Sequence, residues 1–430
     1  MSHRSRQLKV SSLARVEGEG ALHVVIEDGQ VLQADLQIYE PPRFFEAFLR
    51  GRQHTEANDI TSRICGICPV AYQASAWQAM EDACGVVVDD RIAELRRLLY
   101  CGEWISSHSL HIYLLHVPDF LGYPDAITLA KDHRAIVERG LSMKKAGNAI
   151  LELVGGRAIH PVNPRVGGFY SAPTLADLAP LAAQLRHALD DALATVEWVA
   201  TFDFPDLELD REFLALRDPA RYAIERGELV TSGGLSFPVS EFSEHVVEHQ
   251  VPHSTALHAT LDGAPYLTGP LARYSLNSAQ LSPLAREAAS AAGLGPTCRN
   301  PFRSIVVRAV ETAYAIDEAL RLIDAYERPS PAWVPVPPRA AVGHGASEAP
   351  RGVLYHRYEL DADGLIESAV IVPPTSQNQA AIEADVRDVV AGHLDLDDAA
   401  LTALCEQTIR NYDPCISCST HFLELTVERR

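Results

Sequence analysis

The sequence predicts an α+β fold, mainly α, in which a central bundle of long helices carries β-hairpins at its periphery. Three observations predict it. Apolar residues recur at helical spacing in three long stretches: Ile92, Leu95, Leu98 and Leu99; Leu178, Leu181, Leu185, Leu189, Val196 and Val199; and a run from about Ile305 to Tyr326. Two Asp-Gly pairs, Asp28-Gly29 and Asp363-Gly364, lie between alternating apolar runs, a strong hairpin signal. With 430 residues, 47% of them hydrophobic, the chain can bury the core of one large domain or two.

In order, residues 21–39 alternate (Leu22, Val24, Ile26, Val31) across Asp28-Gly29 and open the chain with a hairpin. Ahead of it lies Arg-Val-Glu-Gly, where Glu17, taken alone, reads as a solvated carboxylate. Pro41 and Pro42 end the sheet. Arg43 to Arg50 then predicts a short helix with Phe44, Phe45 and Phe48 on its apolar side and Glu46 beside them. Gly155-Gly156 and Gly167-Gly168 bracket a Pro-rich stretch that lacks the spacings of a phosphate loop and predicts a tight loop in a packed core. Pro329 to Pro338 predicts an extended, polyproline-like linker that delivers the chain to His344 and the Ala-Pro-Arg-Gly from Ala349. A second hairpin follows, with strands near Val353 to Leu360 and Leu365 to Val372. Ser376 is placed to cap a helix through Ile382, Val386 and Val390. Asp397 or Asp398 caps the last helix, which breaks at Asp413-Pro414.

The formal charge of −20 argues against nucleic acid and against a basic membrane-surface helix. The first residues lack the apolar core of a signal peptide, and no stretch of about eighteen apolar residues could span a bilayer. The expected location is therefore the cytoplasm, where eight cysteines point to metal or redox chemistry and not to disulfides. Cys84, Cys101, Cys298 and Cys405 stand alone and read as buried core thiols. His108, His111 and His116 lie at near-helical spacing, but nothing among them completes a ligand set, so they read as core or interface histidines.

The remaining four cysteines form two C-x-x-C pairs near opposite ends of the chain, Cys65/Cys68 and Cys415/Cys418, with His421 three residues beyond the last. Any site that they share is closed by the fold of nearly the whole protein. Four thiolates suit zinc, iron or nickel far better than magnesium or calcium. Zinc ribbons hold their pairs about fifteen to twenty residues apart because the metal closes a small fold, so this separation favours a catalytic or electron-transfer metal, with structural zinc and inert thiols as the other readings. His421 could join the same metal or a second, harder ion beside it.

The quoted motifs resemble those of the large, catalytic subunit of [NiFe]-hydrogenases. Arg-x-Cys-Gly-x-Cys from Arg63 and Asp-Pro-Cys-x-x-Cys-x-x-His from Asp413 are that family's two signatures. Arg-Val-Glu-Gly at Arg15, Arg-x-x-Glu at Arg43, Ala-Pro-Arg-Gly at Ala349 and Pro-Thr-Ser before Asn378 agree in order along essentially the whole chain. The resemblance implies the large-subunit fold over 1–421 as a single domain, with 422–430 as a C-terminal propeptide-like tail that an endopeptidase releases after His421, once a maturation chaperone has helped to load nickel. It implies nickel held by Cys65, Cys68, Cys415 and Cys418, the second of each pair also bridging to an iron with one carbonyl and two cyanide ligands. It further implies that Cys415 passes protons to Glu17, that Arg351 hangs over the metal supported by Asp119 and Asp413, and that Thr375 and the backbone near Pro350 bond a cyanide. Glu46, His421 and the carbonyl of Ile371 would hold a magnesium ion.

The wording around Cys68, together with Gly-Gly-Arg-Ala-Ile-His-Pro-Val-Asn-Pro, is most similar to the cytoplasmic, NAD(P)-linked branch. The implied activity is reversible H2 oxidation, with electrons leaving through a small subunit that carries iron-sulfur clusters, and the implied complex includes a diaphorase-type subunit that binds flavin and NAD(P). One departure stands out. Many relatives carry a histidine four positions after the second cysteine, and this chain has Tyr72, which bears on the hydrogen bonding around Cys68. The competing readings are a hydrogen sensor, which typically lacks the cleavable tail, a non-catalytic scaffold like the quinone-site subunit of respiratory complex I, which has lost the cysteines, and a structural zinc protein.

Overall fold

The structure is a computed structural model and describes residues 5–420. The chain opens with an antiparallel sheet of β1 (Ser5–Val10), β2 (Gly20–Glu27) and β3 (Gln30–Ile38) in sequential order. The Asp28-Gly29 turn joins β2 to β3 as predicted, and β1 adds a strand outside β2 that the sequence reading passed over. Helix α1 (Phe45–Leu49) is shorter than predicted. Its phenylalanines do not form a buried side: Phe48 is 60% exposed and Leu49 takes the core position instead.

The helical core is built from α2 (Pro69–Cys84), α3 (Asp90–Leu110), α4 (Arg134–Gly155) and α5 (Leu175–Val199), joined later by α6 (Ser304–Asp324). Asp89 caps α3 by accepting from the Arg91 N–H at 2.9 Å. Ile92, Leu95, Leu98 and Leu99 all face inward, as do Leu178, Leu181, Leu185, Val196 and Val199 on α5. Between α5 and α6 the β4 (Val246–His249) and β5 (His258–Leu261) pair forms a small antiparallel ribbon.

The stretch from Pro329 is not a free linker. Val334 N–H donates to Gly167 O and Phe169 N–H to Ala332 O, both at 2.9 Å, so the segment is stitched to the glycine-rich loop. It leads into β6 (Ala341–Ala349), followed by β7 (Gly352–Leu360) and β8 (Ile366–Val372), an antiparallel sheet in sequential order. The reading gave only the second hairpin. The hidden strand is β6, which lies on α2 so closely that a Cβ on Gly345 would stand 2.2 Å from the Ser75 carbonyl oxygen and one on Gly343 2.0 Å from that of Ala79. Glycine is required there by approach, and alternation is lost with it.

Helix α7 (Pro374–Gly392) begins two residues before Ser376, so Ser376 sits in the first turn and is not the cap; its hydroxyl lies 2.7 Å from Glu248 Oε1. Asp397 does cap α8 (Asp398–Arg410), accepting from Ala400 N–H at 2.8 Å. One hydrophobic cluster runs from Leu8 through the helices to Cys418. No helix among the described residues is long and apolar enough to cross a membrane.

Candidate metal centre

Cys65 and Cys68 flank the turn that leads into α2, with Cys68 as its N-cap and Pro69 at the first helical position. The free N–H groups of that first turn are taken by Glu103 of α3, which accepts from Val70 at 2.6 Å and Ala71 at 3.1 Å. Cys415 and Cys418 lie on a short turn beyond α8, where Cys418 N–H donates to Cys415 O. The four sulfurs converge: Cys65 to Cys415 is 3.4 Å, Cys68 to Cys418 3.5 Å and Cys415 to Cys418 2.9 Å, all buried. Hydrogen bonds from Cys415, Cys418 and Cys68 hold the Cys65 thiol low, whereas burial, with the neighbouring sulfurs adding to it, pushes Cys415 up. Four such groups cannot all ionise together without cations between them, so metal binding and proton release are coupled here.

Glu17 reaches the sulfurs because the first and last segments run side by side. Glu17 and Cys415 form a parallel bridge, and Ile416 N–H donates to Glu17 O at 3.0 Å. Gly18 makes this possible: its φ is +89°, and a Cβ there would stand 2.6 Å from that of Ile416. The Glu17 carboxylate lies 3.1 Å from Cys415 Sγ and accepts from the Ser417 N–H at 3.0 Å. The Ser417 hydroxyl then stands 2.5 Å from Glu17 Oε1 and 2.9 Å from Glu40 Oε1.

Arg351 occupies the turn between β6 and β7. Its Nη2 is 2.9 Å from Asp413 Oδ2 and its Nε donates to the Asp413 carbonyl at 2.6 Å. The turn is locked by Arg273, which donates to the carbonyls of Ala349 at 2.7 Å and Pro350 at 3.2 Å while pairing with Glu311 and Glu348. The Pro350 carbonyl thus faces Arg273. Burial opposes the Arg351 charge, but Asp413 and the thiolates outweigh it and keep the guanidinium charged.

The expectation that Asp119 supports Arg351 is corrected. Asp119 instead accepts from Arg410 at 2.7 and 2.8 Å and from Arg15 at 2.5 Å. Burial pushes its carboxyl up, but these two arginines outweigh it and hold it below the ordinary range. It staples the Arg-Val-Glu-Gly segment to the end of α8. Thr375, at the start of α7, accepts from the Cys415 N–H at 3.1 Å, leaving its hydroxyl proton for another acceptor.

The profile of the family described as nickel-dependent hydrogenase matches residues 43–138 and 253–421. The chain belongs to this family. The chain is 35% identical over 426 residues to the sulfhydrogenase 1 subunit alpha of Pyrococcus furiosus, covering 97% of this chain and 98% of that one. To the NAD-reducing hydrogenase HoxS subunit beta of Cupriavidus necator it is 27% identical over 469 residues, covering 97% and 95%. A solved NAD+-reducing [NiFe]-hydrogenase in the H2-reduced state superposes with a TM-score of 0.84 at 25% identity, over 97% of this chain and 99% of the other. The predicted fold class is therefore the observed one, and the chain is an oxidoreductase acting on hydrogen.

In this hydrogenase chain the remaining predicted ligands lie around α1 and β8. Glu46 accepts from the Ile371 N–H at 2.8 Å, and burial pushes it up to about 7 against the pull of that amide and of Arg50. Burial pushes the adjacent Glu248 up to about 8, with the Ser376 hydroxyl opposing and Glu46 adding to it. Two half-buried carboxyls close together are the chemistry that a hard cation relieves. His421 lies outside the described residues.

The sequence reading missed Arg15, Arg273, Glu103, Ser417 and Glu40, which act through geometry that no local motif encodes. His108, His111 and His116, by contrast, read as core or interface histidines, and the structure sets them in the core. All three are buried: His108 Nε2 is 3.1 Å from Glu311, and His111 Nε2 is 2.8 Å from the Arg410 carbonyl. Their residues 111–116 form a π-helical turn, a local insertion of the kind found at functional sites. Burial drives His108 down to about 4, so it is neutral. Tyr72 donates to the Cys418 carbonyl at 3.4 Å, so it meets the pocket through backbone and not through a sulfur. Cys84, Cys101, Cys298 and Cys405 are buried free thiols, as read.

Proposed function

We propose that this chain is the catalytic subunit of a cytoplasmic, NAD(P)-linked hydrogenase, whose residues 1–421 form the working domain and 422–430 a removable tail. The observation that carries the proposal is the Glu17 carboxylate 3.1 Å from Cys415 Sγ, a base beside a sulfur in a pocket of four thiols. The pocket fits a nickel-iron centre with carbonyl and cyanide ligands: Cys65, Cys68, Cys415 and Cys418 would hold it, and their burial and sharing of protons suit soft dications and not hard ones. When bound, such a centre supplies the Lewis acidity that heterolytic H2 cleavage requires.

The protein's own groups then manage the proton. Cys415 Sγ gives it to Glu17 Oε2, and the Ser417 hydroxyl passes it from Glu17 Oε1 to Glu40, which is half-buried near the surface. Arg351 holds a fixed positive charge beside the sulfurs, and Asp413 fixes its orientation. Thr375 positions the Cys415 backbone, and its hydroxyl proton would be available to a ligand of the metal centre. Glu46, the Ile371 carbonyl and His421 would hold magnesium.

Electrons require another chain. Four of the eight cysteines are in the pocket and the others are solitary, leaving no set for an iron-sulfur cluster. A small cluster-bearing subunit and a flavin- and NAD(P)-binding subunit complete the reading. The relatives named sulfhydrogenase and NAD-reducing hydrogenase support it. The test is to purify the complex with its neighbours and measure H2-dependent reduction of NAD+, NADP+ and polysulfide. Reduction of a nicotinamide supports the acceptor assignment, whereas H2 uptake with artificial dyes alone contradicts it.

A further inference from the structure

Away from the thiol pocket, three residues from three segments converge beside the β4–β5 ribbon. His253 lies in the loop after β4, His258 opens β5, and Glu383 comes from α7. His253 Nε2 is 2.8 Å from Glu383 Oε1, His258 Nε2 is 4.0 Å from the same oxygen, and the three ligand atoms lie within 4.8 Å of one another. A hydrogen bond between His253 and Glu383 explains two of the three. It leaves His258 unexplained: the residue is only 3% exposed, and its Nε2 is buried with no hydrogen-bond partner. An orphaned buried imidazole nitrogen costs free energy unless something occupies the space in front of it.

We propose that His253, His258 and Glu383 form a second metal site that takes one divalent ion of the zinc class. Two imidazoles and one carboxylate are a donor set for such an ion, with the fourth position left to water. Tetrahedral ligands about 2.0–2.1 Å from zinc stand about 3.3 Å apart, and the separations of 2.8 and 4.0 Å in the structure bracket that value, so small side-chain rotations complete the site. The supporting shell is present. Asp35 of β3 stands 3.9 Å from His253 Nδ1, on the ring's far side from Glu383, where a carboxylate orients a ligating histidine. Leu36 N–H donates to Glu383 Oε1 at 2.9 Å and fixes that carboxylate. A surface cleft of about 590 Å³ lined by Ile38, Tyr39 and residues 250–255 gives the ion a way in.

The bound ion would tie β3, the ribbon and α7 together. Helix α7 carries Thr375 against Cys415 in its first turn, and β4 carries Glu248 against Ser376. Occupancy therefore braces one wall of the nickel-binding pocket without entering it.

The test uses the mature, nickel-loaded, untagged protein, in which the four cysteines are already occupied. After a chelator wash, Zn2+ alone is added, and bound zinc and nickel are counted by elemental analysis after equilibrium dialysis. The expected result is one zinc per chain, bound about 100-fold or more weaker in His253→Ala with nickel content unchanged; loss of a group that merely orients a ligand already costs about 10–100-fold. Glu383→Gln, which keeps an acceptor for Leu36, provides the second variant. Co2+ in place of Zn2+ is expected to give ligand-field bands without thiolate charge transfer. No zinc uptake by the wild-type protein, uptake equal in the wild type and both variants, or a thiolate signature for the cobalt would each overturn the proposal.

Discussion

Glu17 and Cys415 stand 3.1 Å apart, carboxylate to sulfur, across a contact between the first and last described segments of the chain. Because Ile416 N–H is bonded to Glu17 O and Gly18 leaves no room for a side chain, the pair is held by backbone and not by side-chain choice alone.

Replacing Glu17 by Gln should therefore leave the geometry and the nickel content intact while removing the base. We expect H2/D2O exchange to fall by about 10²–10⁴-fold, the usual share of a positioned acid-base group. Exchange at the wild-type rate would remove Glu17 from the proton path.

The next step of that path is Ser417. Ser417→Ala should slow exchange by about tenfold with metal content unchanged, since water can replace a hydroxyl between Glu17 and Glu40 only imperfectly. If Glu40→Gln and Ser417→Ala both exchange at the wild-type rate, the proton leaves by another route.

Arg351→Lys keeps the charge but loses the fork that engages both the carboxylate and the carbonyl of Asp413. Turnover should drop by about 10²-fold or more with the four cysteines still loaded. A near-native rate would show that only the net charge matters. Cys65→Ser and Cys418→Ser, by contrast, should abolish both nickel retention and activity.

Asp385 offers a test by pH. Burial raises its carboxyl to about 7, against the pull of Arg211, and the Tyr412 hydroxyl donates to it beside the Asp413 turn. Its folded value lies above the unfolded one of about 3.9. Its contribution is therefore fully present below about pH 4 and is lost as pH rises through 7. Asp385→Asn, which stays neutral, should gain stability relative to wild type between pH 5 and pH 8, by about 3 kcal/mol. Calorimetric melting at the two pH values checks it; a constant difference contradicts it.

The legible parts of the fold were those with local period or turn chemistry. The stripes of α3, α5 and α6 and the two Asp-Gly turns could be read directly. Strand β6 could not: its glycines exist to touch α2, so it lacks the alternation that marks a strand. The Pro329 segment looked free because its partners, Gly167 and Phe169, are distant in sequence. At the site, the spaced cysteines were visible as ligands, but the partners of Asp119 were not. Arg15 and Arg410 come from opposite ends of the chain, and only the fold decides that they, and not Arg351, reach it.

The most direct measurement is an infrared spectrum of the purified protein, co-expressed with its own maturation factors and ending at His421, in the region where metal-bound carbonyl and cyanide absorb. One strong carbonyl band with two weaker cyanide bands is the predicted result, and all of them should vanish in Cys418→Ser. A spectrum empty in that region, from protein that carries zinc and no nickel, would contradict the assignment of the four-thiol pocket as a nickel-iron centre.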